Sequence, residues 1–199
     1  MKKVVITSKT RMSKGYCVGG YDVSSGKYVR LLTSNGNNQG YDTQFEIGES
    51  WRIRYESRQN VTPPHIEDVM VKKQIFIKRI PDLSTYIQKR VAPFKGCITG
   101  LFNNKLGFTR NGSPYINQSN GLPDNSVGFW LTTKELCLVE GKSRYKVKGE
   151  YYEVKYVGLQ PAVESIPVGT LVRVSLARWW SPAPEEFEER CYMQLSGWY

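Results

Sequence analysis

The chain has 199 residues and a net charge of +10, with 40% hydrophobic and 13% aromatic residues. This composition suits one large or two small packed domains and excludes a disordered chain. No apolar run approaches the ~20 residues needed to span a bilayer, and no apolar leader follows Met1. The sequence therefore predicts a cytoplasmic protein that makes no membrane contact.

The positive charge is concentrated in the first half of the chain. Residues 1–95 hold 17 Lys and Arg against 8 Asp and Glu, whereas residues 96–199 hold 11 against 10. Such asymmetry favours a polyanionic partner, namely nucleic acid or a phosphorylated nucleotide ligand. The alternative is that the charge serves solubility alone.

Cysteine and histidine usage gives no support for metal or redox chemistry. The four cysteines, Cys17, Cys97, Cys137 and Cys191, form no C-x-x-C pair and are predicted to be free thiols in a reducing compartment. The single histidine, His65, lies in a proline-flanked loop. Neither a phosphate-binding G-x-x-x-x-G-K-[ST] nor a G-x-G-x-x-G motif is present. We expect no cofactor, no metal and no catalytic residue.

The first half of the chain is predicted to be a series of short strands joined by polar turns. A basic loop at Lys9–Gly15 separates the first two strands, and Glu49–Glu56 alternates apolar and charged residues in the manner of a half-buried strand. The predicted strands are 2–8, 16–22, 27–32, 49–56 and 69–77.

One helix is predicted after the fifth strand. Asp82 is a candidate N-cap, and Leu83, Tyr86, Ile87 and Val91 follow at helical spacing. The helix must end before Pro93, where a soft domain boundary is placed, within about residues 90–125. The predicted domains are 1–94, a first barrel with a carboxyl-terminal helix, and 95–199, a second barrel.

The second half opens with a Gly- and Asn-rich segment at 95–122 and then returns to strands. A long strand is predicted over Gly169–Trp179 and one acidic helical turn over Glu185–Arg190. The remaining predicted strands are 127–131, 136–139, 144–148, 150–157 and 191–195.

Two segments echo each other 121 residues apart, which suggests an internal duplication. Ile47–Ile53 and Val168–Val174 both read as a branched apolar residue, Gly, two further residues, an apolar residue, Arg and a branched apolar residue. With the strand count, the echo predicts a mainly β protein made of two small five-stranded Greek-key barrels with one or two short helices. The alternative is a single large β-sandwich or barrel.

The order of these pieces resembles a known family. An opening V-V-I-x-S-K-T-R leads to G-Y-C-V-G-G-Y-D, G-K-Y-V-R-L-L and G-E-x-W-R-I, and the chain finishes with R-C-Y-M-Q-L-S-G-W-Y. This resembles the bacterial dual OB-containing domain family over nearly the whole chain. The resemblance implies two fused OB-like barrels and a nucleic-acid or nucleotide role in mobile-element or antiviral settings. It transfers no catalytic residue.

Basic side chains of the first half form the first candidate site. In an OB barrel the face of strands 2 and 3 and the adjoining loops bind oligonucleotides, so cations there would follow the phosphates. Neighbouring tyrosines could stack on the bases, and the alternative is that they belong to the barrel wall. These tyrosines are Tyr16, Tyr21, Tyr28 and Tyr41. The candidate cations are Lys9, Arg11, Lys14, Arg30, Arg52 and Arg54.

Aromatic residues of the second half form the second candidate site. Arg178, Trp179 and Trp180 are adjacent, so one Trp can be buried while the other offers a stacking surface beside a charge. The alternative is that one Trp packs the barrel and the other caps its end. Tyr192 and Gln194 share one face of the last predicted strand and could contact a base edge or a sugar. The interpretation we favour for these two residues is a final strand that closes the barrel.

These observations favour a non-catalytic binding module for single-stranded nucleic acid or a nucleotide-like ligand. Two alternatives remain at this point. One is a protein–protein adaptor within a larger assembly, which would use exposed aromatic patches to contact protein. The other is a zinc-independent enzyme acting on nucleic acid, which would need carboxylates or His65 in the same groove.

Overall fold

The computed structural model describes residues 1–199, which divide into two compact units, 1–92 and 93–199. The regular structure of both units is mostly strand, and the helices are few and short. The predicted mainly β fold with few short helices is therefore confirmed. No helix is long and apolar enough to cross a membrane.

The first unit is a closed five-stranded barrel in the order β1-β2-β3-β5-β4. The β3–β5 pair is parallel and the other pairs are antiparallel, which is the arrangement of an OB barrel. Its elements are β1 (Lys2–Arg11), β2 (Tyr16–Asp22), β3 (Lys27–Leu32), β4 (Glu49–Ser57), β5 (Asp68–Arg79) and α1 (Leu83–Gln88).

Alternating apolar residues fill the first barrel. Val4, Ile6, Leu31 and Ile53 are fully buried there, as period-2 patterning requires. Gly20 is needed where β2 crosses β1, because a Cβ would lie 2.7 Å from a Val4 methyl carbon and 3.1 Å from a backbone oxygen. Close backbone approach of this kind admits only glycine.

The strand β1 is longer than the sequence predicted. Lys9 and Arg11 lie within it, opposite Val18 and Tyr16 of β2, so the predicted basic loop is reduced to Met12–Gly15. A register shift between Ile6 and Ser8 marks a bulge that lets β1 bend and pair with both β2 and β4. Polar residues in a strand are tolerated when their side chains find partners, and Lys9 does so, as described below.

The predicted helix is confirmed as α1. The Asp82 carboxylate accepts a hydrogen bond from the Thr85 backbone N–H at 2.8 Å, so Asp82 is the N-cap. Ile87 is the buried residue of the helix.

The second unit contains ten strands and one short helical segment. A 3₁₀ turn at Ile98–Gly100 leads into α2 (Leu101–Asn104), in which Phe102 and Asn103 have φ of +53° and +59°. The strands are β6 (Phe94–Gly96), β7 (Gly107–Phe108), β8 (Pro114–Ile116), β9 (Val127–Thr132), β10 (Leu136–Leu138), β11 (Arg144–Val147), β12 (Glu153–Tyr156), β13 (Ser165–Ile166), β14 (Leu171–Leu176) and β15 (Cys191–Trp198).

The ladders of the second unit repeat the order of the first barrel. β9 pairs with β14 and β10 pairs with β13 in one continuous antiparallel register, so β9 with β10 acts as a single interrupted first strand. β10 then pairs with β11, β11 with β12, β12 with β15 in parallel, and β15 with β14. Strands β11, β12, β14 and β15 thus correspond to β2, β3, β4 and β5. These strands and β9 with β10 belong to one larger sheet, and we call this part of it the second barrel.

The sequence echo falls at the same place in both barrels. Gly48 and Gly169, with φ of +86° and +79°, make the turn before the fourth strand of each. Five residues after each glycine, Ile53 and Val174 are fully buried in the cores of their respective units. The repeated glycine and branched apolar residues therefore encode one turn-and-strand unit that is used twice.

Two predicted elements of the second unit were wrong. The long strand over Gly169–Trp179 ends at Leu176, and Glu185–Arg190 contains no helix. The chain instead forms a loop whose base is closed by a β-bridge between Trp180 and Arg190. Four glutamates within residues 185–189 repel one another, and one of them, Glu188, accepts hydrogen bonds from Asn117 and Ser119 rather than continuing a helix.

Candidate functional site

A pocket of about 280 Å³ lies on the second barrel, at the small end of the range for ligand sites. It sits on the face formed by β11, β12 and β15 together with the loop between β14 and β15. These elements correspond to strands 2, 3 and 5 and the 4–5 loop of an OB barrel, where oligonucleotides bind. Its lining residues are Ser113, Arg144, Lys155, Ala177, Arg178, Trp180, Tyr192, Met193 and Gln194.

A row of directly opposed residues forms the floor of the pocket. Arg144 of β11 lies opposite Lys155 of β12, and Lys155 lies opposite Gln194 of β15. Residues directly opposite on paired strands project from the same face, so the row presents two cations and an amide. Arg144 is partly neutralised by Glu153, whose carboxylate is 3.3 Å from the guanidinium, and it donates to the Ser113 hydroxyl. Lys155 has no neighbouring carboxylate in the row.

Aromatic rings form one wall of the pocket. Trp180 is 55% exposed, and its ring lies 6.2 Å from that of Tyr192. Tyr192 in turn lies 6.1 Å from Tyr115, over which the Arg190 guanidinium stacks at 4.3 Å. The backbone N–H groups of Trp180 and Arg190 donate to each other's carbonyls at 3.1 and 2.9 Å, which fixes the base of the loop. The exposed indole is therefore held beside the pocket before any ligand arrives.

The two adjacent tryptophans have different surroundings, as the sequence suggested. Trp179 is half-buried and packs against the hydrophobic core of the second unit, and it does not line the pocket. Arg178 and Trp180 both line it. The arrangement puts a cation next to an exposed aromatic face, which suits a base and its phosphate.

The equivalent row of the first barrel carries no net charge. Gly19 lies opposite Arg30, and Arg30 lies opposite Asp68. Two guanidinium nitrogens of Arg30 donate to the two carboxylate oxygens of Asp68 at 2.6 and 2.7 Å. Burial opposes the charge on Arg30, but these hydrogen bonds outweigh it and raise the pKa of the guanidinium. Arg58 lies 3.6 Å from the same carboxylate.

Lys9, a predicted phosphate ligand, is engaged within its own barrel. Its ammonium lies 2.6 Å from the Glu46 carboxylate and 4.6 Å from the centre of the Tyr16 ring. Only 7% of the Lys9 side chain is exposed. A cation with these contacts is a structural residue of the barrel, so Lys9 has no part in the function proposed below.

The other four predicted cations of the first unit are exposed but lie in two separate places. Arg11 and Lys14 are at the end of β1 and in the β1–β2 loop, whereas Arg52 and Arg54 project from the outer face of β4. They do not line a shared pocket with Arg30.

Arg144 and Lys155, which form the floor of the pocket together with Gln194, were not predicted from the sequence. Both lie in the half of the chain that carries almost no net charge, so the charge asymmetry of the sequence did not identify them. The signal that could have found them is the predicted hairpin across Gly149, whose register sets Arg144 opposite Lys155.

The remaining reactive side chains are structural or dispersed. No group of three or more His, Cys, Asp and Glu side chains is placed to hold a metal ion. All four cysteines are free thiols, and burial raises the pKa of Cys191 to about 12. His65 is 4% exposed within its barrel.

The strand order and the position of the pocket define the class: a β protein with one closed five-stranded barrel and a larger sheet whose ladders repeat the same OB-type strand order. The family model described as "Dual OB-containing domain" matches residues 2–198. The chain therefore belongs to the dual OB-containing domain family, as its sequence had indicated. Comparison with curated proteins and with solved structures gave no significant match.

Proposed function

We propose that this protein is a non-catalytic binding module for single-stranded nucleic acid and that the pocket on the second barrel is its base-binding site. The observation that carries the proposal is the Arg144–Lys155–Gln194 row beside the exposed ring of Trp180. Cations along strands 2 and 3 of an OB barrel can follow phosphates, while an exposed indole stacks on a base.

The proposed site distinguishes single strands from duplexes by shape. Trp180 stands at the side of a pocket of about 280 Å³, which admits an unstacked base but not a base pair within a helix. Gln194 supplies both a donor and an acceptor on the pocket floor and could contact the edge of the inserted base. The free thiols agree with the proposed cytoplasmic location.

The first test is binding of fluorescein-labelled single strands, dT and rU oligonucleotides, followed by fluorescence anisotropy. Up to three cations line the pocket, so log K should fall against log salt with a slope of about −2, at ~0.7 per phosphate. A duplex of the same length and the free mononucleotide are expected to bind more weakly. Equal affinity for single strands and duplex, or a flat salt dependence, would contradict the proposal.

Variants locate the site. Lys155→Glu is expected to lower the affinity for single strands at least tenfold. The matched control is Lys142→Glu, which makes the same charge change at an exposed turn outside the pocket. If both variants lose affinity equally, binding depends on net charge and not on this pocket.

A further inference from the structure

The strand β5 has a neighbour on one side only for most of its length. β3 pairs with it as far as Met70, which lies opposite Leu32. β4 follows it along the other side up to Arg79, which lies opposite Glu49. Residues 71–79 therefore have no adjacent strand on that side, and bulges at Lys72 and Ile77 leave Lys73–Phe76 as the regular part of this edge of backbone N–H and C=O groups. Such an edge is a template for pairing with another chain.

The centre of this open edge is apolar and exposed. Ile75, Phe76 and Ile77 are 45%, 49% and 39% exposed. Phe76 rests edge-on against Trp51, with ring centres 5.4 Å apart, so its ring is held in place while half of it remains open to solvent. Three consecutive exposed apolar residues on a strand edge are costly unless they meet a partner.

Cations stand at both ends of the apolar centre. Lys72 and Lys73 precede it and Lys78 and Arg79 follow it, so residues 72–79 read K-K-Q-I-F-I-K-R. An antiparallel second copy centred between Ile75 and Phe76 would bring Lys72 and Lys73 of one copy next to Lys78 and Arg79 of the other. A parallel copy in register would set each cation against itself. Like charges directly opposite are destabilising, so pairing of this edge with the same edge of a second copy is disfavoured.

We propose that the open edge of β5, residues 71–79, binds an extended segment of a partner protein that is apolar at its centre and acidic at both ends. The segment would add to the barrel as a strand, in the β-augmentation mode. Its backbone would pair with β5, its apolar residues would cover Ile75 and Phe76, and its carboxylates would meet the flanking cations.

A nucleic acid is the less suitable occupant of this edge. Arg52 and Arg54 project from β4 opposite Ile75 and Lys73, so phosphates would find cations here as well. However, Phe76 is the single ring of this edge and two isoleucines flank it, and a nucleic-acid strand does not complete a β-ladder. The backbone edge and the Ile75–Ile77 centre together favour a peptide.

The test uses the full chain and the fluorescein-labelled peptide Glu-Glu-Thr-Val-Thr-Val-Thr-Glu-Glu, with binding followed by anisotropy. The variant K73E/K78E is expected to bind this peptide at least tenfold more weakly and to gain affinity for the same peptide with Lys in place of Glu. The control K27E/K142E changes the net charge equally at exposed sites away from the edge. Circular dichroism confirms that each variant is folded.

Backbone pairing is tested with two N-methylated peptides, each methylated at one of the two alternate sets of residues. Because a strand edge uses alternate N–H groups, one methylated peptide should lose binding and the other should keep it. Equal loss by K27E/K142E, or equal behaviour of the two methylated peptides, overturns the proposal.

Two further outcomes would also overturn it. If a single-stranded oligonucleotide displaces the peptide from the wild type but not from Lys155→Glu, peptide binding depends on the pocket and not on β5 alone. Dimerisation through this edge in sedimentation, abolished by K73E/K78E, would make a second copy the occupant. The proposal stands separately from the nucleic-acid site, since Lys155→Glu is expected to leave peptide affinity unchanged.

Discussion

Asp68 of the first barrel and Gln194 of the second occupy the same position, directly opposite the cation of the third barrel strand. In the first barrel that cation is Arg30, which Asp68 holds in a two-point ion pair. In the second it is Lys155, and the residue opposite is a neutral amide. One barrel thus cancels the charge at this position, whereas in the other the charge is not neutralised by the residue opposite.

This relationship gives the first prediction. Gln194→Asp is expected to place a carboxylate beside Lys155 and to weaken single-strand binding about tenfold, ~1.4 kcal/mol, because the acid neutralises one cation and repels phosphate. The salt slope should become shallower by about 0.7. Gln194→Asn, which shortens the side chain without adding charge, serves as the control in the same anisotropy titration. An unchanged slope in Gln194→Asp would show that Lys155 contacts no phosphate.

The second prediction concerns the exposed indole. Trp180→Ala is expected to cost about 1–3 kcal/mol of single-strand affinity, the amount measured for one stacked base. Tyr151→Ala is a matched control, since Tyr151 is also 55% exposed in the second unit but lies outside the pocket. Retained affinity in Trp180→Ala, with a folded barrel by circular dichroism, would exclude Trp180 as a stacking residue.

The third prediction separates structure from function in the first barrel. Asp68→Asn leaves Arg30 half-buried without its carboxylate and is expected to lower the free energy of unfolding by about 2–3 kcal/mol. Urea denaturation can be followed through Trp51, the only tryptophan of residues 1–92. Asp42→Asn, an equal charge change at an exposed loop position, should cost little. A loss of oligonucleotide affinity at unchanged stability would instead give Asp68 a functional role.

The fourth prediction is a pH dependence in the first barrel. The Tyr55 hydroxyl donates to the buried Asp22 carboxylate at 2.5 Å, and Lys2 lies 3.4 Å from the same group. Burial alone would raise the pKa of Asp22, but the hydrogen bonds from Tyr55 and Ser25 outweigh it and lower the pKa below 3.8. A carboxyl group with a lowered pKa stabilises the fold above its unfolded pKa, and that contribution is lost as the pH falls through the folded pKa.

Tyr55→Phe is therefore expected to cost about 1.5–3 kcal/mol near pH 7, the range for a hydrogen bond to a charged group. The difference from wild type should begin to shrink below about pH 4, the ordinary pKa of an unfolded Asp, and should vanish as the pH falls through the lower pKa of folded Asp22. Urea denaturation at several pH values measures both. A cost that stays constant down to pH 2 would show that the phenol contributes by packing and not through the carboxylate.

The strands and the one capped helix were predictable because their signals are local. The alternation of residues 49–56 and the Asp82 N-cap both depend only on residues a few positions apart in sequence. Both features are present in the structure. Bulges are not local in this sense. The strand predicted from the sequence therefore ended at Ser8. In the structure β1 continues past the bulge to Arg11, and Lys9 is paired with Glu46.

The site was predictable only in part. Arg178, Trp180, Tyr192 and Gln194 lie close together along the chain or share one strand face, and all four line the pocket. The cations of the first half were chosen by charge, and charge in a sequence does not reveal which cations have carboxylate partners. Arg30 and Asp68 are 38 residues apart, and only the parallel pairing of β3 with β5 brings them together.

The amino-acid order by itself determined the modular design of this protein: the family, the strand content and the repeated glycine turn that begins the fourth strand of each barrel. The strand content and the glycine turn follow from periodicity and backbone preference, which act over a few residues, and the family follows from the resemblance of the sequence segments. Only the tertiary structure decided which barrel offers a charged face. That choice depends on whether Asp68 or Gln194 meets the cation across a strand pair, and strand pairing joins residues far apart in sequence.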